Sequence, residues 1–302
     1  MSPTSAAGPL NAEEQAARTE AIRAIPFDKL EPPAQQRLSA IINDTSVFRR
    51  LPVQAIESDA DMYLFLVRHP DVVVNIWQLM GISNVTVRRI APYTFDASDG
   101  MGTVAKVDLV YGDRETHVFL AEGHYEGPLF RRKLTGRCVA VLRSGFDQPQ
   151  QGRPIVAGRM DVFLQVDSAG LELLAKTLHP LLGKTADTNF VETMKFLSQV
   201  SGAAEKNGPG VEQLAAKLTN VDGETRDRFA RVATAAYDRS MLRTAQLGGR
   251  ILPTPSTPAT AAAPIVQVRE DGVYITDLAD EPAATNAPAT PIIRSSGPMF
   301  RR

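Results

Sequence analysis

The spacing of apolar positions changes twice between residues 52 and 202. After a short strand-like segment at 53–57, apolar residues recur every three or four positions as far as residue 80, which predicts two helices. Apolar and polar residues then alternate from 84 to 166, which predicts about six β-strands. Helical spacing returns after these strands. The predicted order is therefore strand, two helices, six strands and a helical stretch.

Breaks and turns in the sequence separate these elements. His69-Pro70 divides the two helices, because the residue before a proline avoids helical backbone angles. The segments 98–102 and 112–115 are rich in Gly and Asp and connect consecutive strands. Because such connections are short, an antiparallel meander is the expected topology of the sheet.

The alternation also predicts which side chains share a face of the sheet. If Tyr111 and Thr116 are opposed across the 112–115 turn, one face is apolar almost throughout. That face is expected to carry Ala105, Val107, Leu109, Val118, Leu120, Glu122, His124, Val139, Val141, Met160, Val162 and Leu164. The opposite face is expected to meet solvent with Lys106, Asp108, His117, Arg159, Asp161 and Gln165. The expected cover of the apolar face is the late helix with Phe190, Met194 and Leu197 at helical spacing.

Two flanking regions are predicted to be helical. An N-terminal extension, 1–51, contains a helix that Asn11 caps with Glu14 three residues later, and a second helix that Pro32 opens. A helical appendage at 203–247 follows the central domain of 52–202.

The last segment, 248–302, is rich in Pro, Ala and Thr and is predicted to be mostly disordered. Within it, apolar residues at 265–269 and 273–278 flank a Glu-Asp-Gly turn and predict a short hairpin. An isolated hairpin is marginally stable, so it is expected to dock on the body of the protein or on a protein partner.

Composition and charge exclude several classes of function. The hydrophobic content of 43% and charged content of 22% are ordinary for a soluble globular protein. A net charge of −1 provides no general field that attracts nucleic acid. No segment approaches the roughly twenty apolar residues of a membrane span, and the N-terminus lacks the features of a secretory signal. We expect a cytoplasmic protein without an integral membrane segment, unless an export leader has been removed.

No motif predicts a metal or a cofactor. Cys138 is the single cysteine, which excludes an internal disulfide and a multi-cysteine metal site. The four histidines are scattered, and phosphate-loop and dinucleotide fingerprints are absent from the sequence. No residue is predicted to be catalytic.

The order of elements resembles the helix-grip fold of the START and pollen-allergen-like superfamily, often called SRPBCC. The residues that carry the resemblance are the His69-Pro70 break, Trp77 before the first long strand, and the junction at 167–170 before a helix at 187–199. The resemblance implies an α+β fold: a curved antiparallel sheet of six to seven strands packed on C-terminal helices, here with extra flanking helices and a disordered tail. It also implies a cavity between sheet and last helix that holds lipids, isoprenoids, polyketides or other apolar molecules. Relatives include cyclases, hydroxylases, carriers and chaperone-binding modules, so the fold does not choose among these functions.

The leading hypothesis is non-enzymatic binding or transport of an apolar, lipid-like small molecule. Its cavity is expected to be lined by Val107, Leu109, Val118, Leu120, Val139, Val141 and Met160. Glu122 and His124 fall on the same predicted face, and an antiparallel register brings Arg137 opposite Glu122. These three residues would then orient a polar head of the ligand. The structural alternative places them at a solvated rim, where an ion pair is worth about 0 to 1 kcal/mol.

Two other functions are carried as hypotheses. The second is a protein-interaction or structural module with a solid core, whose C-terminal tail docks on a partner. The third is a cyclase-like enzyme that uses Glu122 or His124.

Overall fold

The computed structural model describes residues 11–127, 133–149, 152–167, 179–248, 266–269 and 272–275. The helices are α1 (Ala12–Arg23), α2 (Pro32–Asn43), α3 (Ala60–Arg68), α4 (Pro70–Leu79), α5 (His179–Lys206), α6 (Gly208–Lys217) and α7 (Gly223–Gly248). The strands are β1 (Val47–Arg50), β2 (Gln54–Glu57), β3 (Thr86–Ala91), β4 (Thr94–Ser98), β5 (Thr103–Gly112), β6 (Thr116–Tyr125), β7 (Leu134–Asp147), β8 (Ile155–Val166), β9 (Val266–Arg269) and β10 (Gly272–Ile275).

Eight strands form one curved antiparallel sheet in the order β1-β8-β7-β6-β5-β4-β3, and β2 also pairs with β8. The six consecutive strands β3 to β8 confirm the predicted meander. Strand β1, which pairs Val47 with Leu164 and Arg50 with Asp161, was not predicted. Its sequence, Val-Phe-Arg-Arg, is too short to show an alternation, so its pairing with β8 is what defines it as a strand. The α+β helix-grip arrangement implied by the resemblance is the fold of this chain.

The contacts divide the chain into two compact units. Unit one contains Met1–Ala55, Val85–Gly145 and Ala157–Met194, and unit two contains Ile56–Asn84, Phe146–Val156 and Lys195–Arg302. No helix among the described residues has the length and apolar character needed to cross a membrane. The tail at 248–302 was predicted to be mostly disordered. Apart from Gly248, β9 and β10, its residues lie outside the described ranges.

In unit one, the central part of one face of the sheet packs against the N-terminal helices. We call it the Val118 face; its buried apolar residues are Val118, Leu120, Val139, Val141 and Phe163. The same core cluster contains Ala21 in the last turn of α1, Ile25 just after that helix, and Leu38, Ile41 and Ile42 of α2. All five sheet residues are 0% exposed. The expectation that the C-terminal helix covers this face is therefore wrong, because α1 and α2 occupy it.

A β-bulge changes the predicted register between β5 and β6. Tyr111 pairs with Val118 and not with Thr116, and the register shifts between Leu109 and Tyr111, so that Leu109 pairs with Phe119. A bulge adds one residue to one strand and moves every later side chain to the other face. Val107 and Leu109 consequently lie opposite the face that was predicted for them. We call this second surface the Val107 face.

The prediction for β8 is wrong for a different reason. Phe163 belongs to the core of the Val118 face, so Asp161 shares that face while Met160, Val162 and Leu164 lie on the Val107 face. The polar residues of β8 were expected to meet solvent, but Asp161 and Gln165 are buried. Asp161 is bound by Arg50, and Gln165 donates a hydrogen bond to Asp44. Their burial is possible because the N-terminal segment supplies these partners.

Three other residues that were predicted to share one solvent-facing side lie on different faces of the sheet. Lys106 and Asp108 pair with Glu122 and Leu120, which places both on the Val118 face. His117 pairs with Leu142 on the Val107 side and is fully buried.

Unit two is a helical assembly with its own aromatic core. The ring of Phe65 in α3 stacks on Phe229 of α7 at 5.6 Å between centroids, and Trp77 of α4 meets Phe196 edge-on at 5.6 Å. The predicted hairpin is confirmed: β9 and β10 pair antiparallel, with Val273 opposite Val268. These strands lie beside α6 and α4 of the same unit.

The burial of the Val118 face predicts a large effect of shortening one of its side chains. We expect Leu120→Ala to lower the free energy of unfolding by about 2 to 5 kcal/mol, because it leaves a cavity among packed neighbours. The control is Leu242→Ala, since Leu242 is 63% exposed, and it is expected to change the free energy by less than about 0.5 kcal/mol. Urea unfolding monitored by circular dichroism measures both. Equal effects of the two substitutions would contradict this account of the core.

Candidate functional site

The Val107 face carries a continuous set of half-buried apolar side chains. Its members on the four strands β5 to β8 are Val107, Leu109, Phe119, Ala121, Cys138, Ala140, Met160, Val162 and Leu164. Each keeps part of its surface exposed, whereas the sheet residues of the core on the Val118 face keep none. Three of the predicted site residues, Val107, Leu109 and Met160, belong to this set.

The edges of this apolar surface are defined by neighbouring elements. Phe95 of β4 pairs with Val107 and is fully buried, with the guanidinium of Arg89 at 4.8 Å from its ring centre. At the opposite edge, Arg49 of β1 lies on the same face as Val162, and its Nε donates to Asp187 of α5 at 3.0 Å. Helix α5 therefore approaches the sheet from the side of the Val107 face.

Cys138 is part of this surface, because it pairs with Ala121 across β6 and β7. Burial raises the pKa of the Cys138 thiol to about 12. The thiolate is the reactive form of cysteine, so very little of it exists near neutral pH.

The remaining apolar residues of the predicted site lie on the other side of the sheet. Val118, Leu120, Val139 and Val141 are enclosed by α1 and α2. The ten predicted residues thus do not line a single surface, and a ligand-binding role for them as one set stays a prediction. Sequence spacing placed Val162 and Leu164 on one face with Val107, but it did not include Phe119, Ala121 and Ala140, because the bulge in β5 is what brings these three to that face.

The structure brings together the charged residues predicted to orient a ligand, Glu122, His124 and Arg137, but not beside the apolar surface. Glu122 pairs with Arg137 across β6 and β7, as expected, and His124 pairs with Thr135 beside them. These side chains belong to the Val118 face, so the sheet separates them from the apolar surface described above. Glu122 is bound by Arg37 of α2 at 3.3 Å, and Arg37 also reaches Asp108 at 3.2 Å. The sequence has no signal for Arg37, because its partners are far away along the chain.

A cleft opens at this end of the Val118 face. Its volume is about 590 Å³, and it is lined by Asp44, Ser46, Glu122, Gly123, Thr135, Gly136, Arg137, Gln165, Val166 and Asp167. Six of these ten residues carry a side-chain oxygen atom, although most of the exposed lining surface is apolar. A Cβ atom on Gly123 would lie 2.4 Å from the carbonyl oxygen of Val104, so glycine is required where β5 comes this close.

A cluster of ion pairs joins α1 and β1 to strands β7 and β8 in unit one. The carboxylate of Glu20 accepts from Arg159 at 2.5 Å and from Arg50 at 2.7 Å, and it lies 3.4 Å from Arg143. Arg50 also holds the buried Asp161 with two hydrogen bonds of 2.6 and 3.0 Å. The hydrogen bonds from Arg159 and Arg50 lower the pKa of Glu20 from 4.5 to about 2. The cluster is structural, since its carboxylates are occupied by arginines.

Unit two contains a separate network around the buried carboxylate of Glu205. Arg153 donates to it at 2.9 and 3.3 Å, and Arg243 donates at 2.7 Å. The hydroxyl of Ser201 also donates to it at 2.9 Å and accepts the backbone N–H of Asp59. Sequence reasoning did not identify these residues, which come from α5, α7 and the loop before β8.

Asp59 extends this network and begins α3. Its side chain accepts the backbone N–H groups of Asp61 and Met62, which caps the N-terminus of the helix. Arg239 of α7 adds two hydrogen bonds of 2.7 and 2.8 Å. Burial alone would raise the pKa of Asp59, but the hydrogen bonds from Arg239 and Met62 outweigh it and hold the pKa below its ordinary value.

Metal binding finds no support in the described part of the chain, where no three His, Cys, Asp or Glu side chains form a suitable group. The fold and its two surfaces describe an α+β protein of helix-grip type, with one apolar and one polar candidate site.

Comparisons with known proteins found distant structural neighbours. No family model matches the sequence, and no curated protein matches it. A conserved protein from Geobacillus kaustophilus is similar in structure with a TM-score of 0.35 and 12% identity, covering 48% of this chain and 90% of its own. A START superfamily protein from Mycobacterium smegmatis has a TM-score of 0.32 and 11% identity, covering 50% and 94%. A truncated norcoclaurine synthase from Thalictrum flavum has a TM-score of 0.29 and 12% identity, covering 47% and 91%. These likenesses are distant and carry no argument about ligand or activity.

The pKa of Glu20 predicts how acid affects unit one. Because the folded pKa lies below the unfolded one, Glu20 stabilises the protein fully above about pH 4.5, and this contribution is lost as the pH falls through about 2. We expect Glu20→Gln to lower stability at pH 7 and to have little effect at pH 2. Glu13→Gln in the same helix is the control. Urea midpoints at a series of pH values measure the difference, and a Glu20→Gln effect that is independent of pH would refute the assignment.

The Glu205 network predicts a contrast between two carboxylates that share Arg153. Glu205 is buried, and we expect Glu205→Gln to lower the free energy of unfolding by about 3 to 5 kcal/mol, because it leaves arginines without their charge partner. Glu57 binds the same arginine from the solvent side, where its side chain is 60% exposed. Glu57→Gln is therefore expected to cost at most about 1 kcal/mol. Calorimetric unfolding compares the two variants. A larger loss of stability in Glu57→Gln than in Glu205→Gln would contradict this account of the Glu205 network.

Proposed function

We propose that the protein binds an apolar small molecule on the Val107 face and performs no chemistry on it. The observation that carries this proposal is the difference between the two faces of one sheet. The five core residues of the Val118 face are fully buried in a cluster with residues of the N-terminal segment, whereas Val107, Leu109, Phe119, Met160 and their neighbours keep some exposed apolar area. Apolar surface that stays in contact with water is unfavourable, and contiguous patches of it are typical of binding sites.

The chemistry of the Val107 face supports an apolar ligand over a polar one. Its central residues are aliphatic or aromatic, apart from the protonated thiol of Cys138. Each buried methylene of a ligand contributes about 0.8 kcal/mol, so a chain or ring system of moderate size gains enough free energy for micromolar binding. The approach of α5 at Asp187 supports a ligand position between this helix and the sheet.

Catalysis is not part of the proposal. Glu122 and His124, the residues that a cyclase-like mechanism would use, belong to the Val118 face. A ligand on the Val107 face is separated from them by the sheet. Glu122 is moreover engaged by Arg37.

A second candidate function, an interaction module, is favoured by one observation. The core of unit one under α1 and α2 is solid, as such a module requires. The hairpin β9–β10, however, lies beside α4 and α6 of its own chain. Deleting residues 248–302 separates the two functions, because a binder of small molecules keeps its ligand and an interaction module loses its partner.

The apolar-ligand proposal is tested with cis-parinaric acid, a fluorescent fatty acid. We expect saturable binding to the full chain with one molecule per protein. Leu109→Gln and Met160→Gln keep the side-chain size but make the surface polar, and each is expected to weaken binding at least tenfold. Leu242→Gln is the matched control at an exposed site and should leave binding unchanged. Fluorescence titration measures the affinities.

Two outcomes would overturn the proposal. One is the absence of saturable binding by the wild-type protein, and the other is equal affinity in the Leu109, Met160 and Leu242 variants. Labelling of Cys138 by iodoacetamide provides a second readout, because a ligand on the Val107 face covers this thiol. We expect bound fatty acid to slow the already slow labelling at pH 8, and an unchanged rate would place the fatty acid elsewhere.

A further inference from the structure

An arginine borders the apolar side chains of the Val107 face. Arg49 of β1 pairs with Val162 of β8, and the Cβ atoms of residues opposed in this way lie about 4.5 to 5.5 Å apart. Strand β1 is the last strand at this end of the sheet order. The side chain of Arg49 therefore lies at the edge of the surface that we propose for the apolar ligand.

The guanidinium of Arg49 has hydrogen-bonding capacity that the protein does not use. Asp187 of α5 accepts from its Nε at 3.0 Å and from its Nη2, while its Nη1 has no partner among the described residues. Arg50, the next residue, holds two carboxylates, those of Glu20 and Asp161. A guanidinium has five N–H donors in a fixed fork. Arg49 holds one carboxylate and retains donors for a second.

The ion pair of Arg49 and Asp187 is open enough for a ligand to reach it. The side chain of Arg49 is 38% exposed and that of Asp187 is 27% exposed. The pair joins α5 to the sheet, and the proposed ligand position lies between these two elements. A head group bound here would meet water on one side and apolar side chains on the other, which is the environment that an amphiphilic molecule requires.

The charges of the Val107 face favour a head group with a single negative charge. Strands β1 and β3 to β8 place two guanidinium groups on this face, those of Arg49 and Arg89, and no carboxylate. A cationic head group is therefore disfavoured. A carboxylate matches the planar fork of a guanidinium. A phosphomonoester carries a charge of about −1.5 to −2 and would be repelled more strongly by the neighbouring carboxylate of Asp187.

We propose that the ligand of the Val107 face is a long-chain carboxylic acid, whose carboxylate accepts hydrogen bonds from Nη1 of Arg49 and whose hydrocarbon chain lies across β8 to β5. This inference rests on the proposed function and adds the chemical class of the ligand to it. Leu109 on β5 is four strands away from Arg49, about 19 Å at the usual spacing of neighbouring strands. Only a long chain covers the apolar side chains between them.

The experiment compares cis-parinaric acid with its methyl ester in fluorescence titrations of the full chain at pH 8. The ester keeps the hydrocarbon chain and lacks the charge. We expect the acid to bind at least tenfold more tightly, because the ester loses a hydrogen bond between charged groups. Sodium chloride is expected to reduce this preference. Equal affinities of acid and ester would refute the inference and leave the proposed function intact. Binding of neither compound would overturn the proposed function and the inference with it.

Substitutions of arginine locate the head group. Arg49→Gln is expected to lower the affinity for the acid at least tenfold and to leave the affinity for the ester within about twofold. Arg49→Lys keeps the charge and is expected to retain at least a threefold preference for the acid. Arg88→Gln is the matched control, since Arg88 is 74% exposed on the Val118 side of the sheet, and it should leave both affinities unchanged. Equal losses in the two glutamine variants would show a general charge effect and refute the inference.

Asp187 distinguishes ligand binding by Arg49 from a purely structural role. Asp187→Asn keeps a hydrogen-bonding side chain beside Arg49 and removes the competing negative charge. We expect this variant to bind the acid at least threefold more tightly than the wild-type protein and the ester equally well. If the pair only held α5 on the sheet, Arg49→Gln and Asp187→Asn would weaken the binding of acid and ester by the same factor, and that result would refute the inference. Because both ligands are compared within each variant, a general change in stability does not alter the readout.

Discussion

The packing of α1 and α2 on the Val118 face is the constraint on which the rest of unit one depends. An antiparallel sheet commonly buries one face and leaves the other in contact with water. Here the five core residues of the Val118 face are fully buried against helices that precede the sheet in the chain. Full burial of each such side chain contributes about 1.5 to 3 kcal/mol. The face whose apolar side chains keep exposed surface is therefore the opposite one.

Paired charges attach the N-terminal segment to the sheet. Asp161 is completely buried, and a carboxylate in that position is tolerated because Arg50 binds it with two hydrogen bonds. Arg50 also binds Glu20, so one guanidinium connects α1, β1 and β8. Arg37 similarly connects α2 to β5 and β6. Polar residues that would ordinarily mark a solvated face thus become internal, and the sheet has helices on both sides.

Unit two also holds buried carboxylates with arginines, but the residues come from other helices. Glu205 and Asp59 are buried carboxylates: Arg153, Arg243 and the Ser201 hydroxyl donate to Glu205, while Arg239 donates to Asp59. Such a buried pair adds little net stability relative to an apolar replacement, because desolvation of the charges offsets much of their attraction. Stacking of Phe65 on Phe229 supplies the apolar part of the same helix packing.

The sequence by itself determined the elements and their order. The break at His69-Pro70, the cap at Asn11, the hairpin turns and the pairing of Glu122 with Arg137 all follow from preferences that act within a few residues, or across one hairpin. Tertiary structure alone decided which side chains share a face and what covers them. One extra residue at Val110 shifts the strand beyond it, and alternation cannot reveal such a bulge. Partners such as Arg37 and Glu122 lie 85 residues apart, so their contact depends on how α2 packs on the sheet and leaves no periodic signal in the chain.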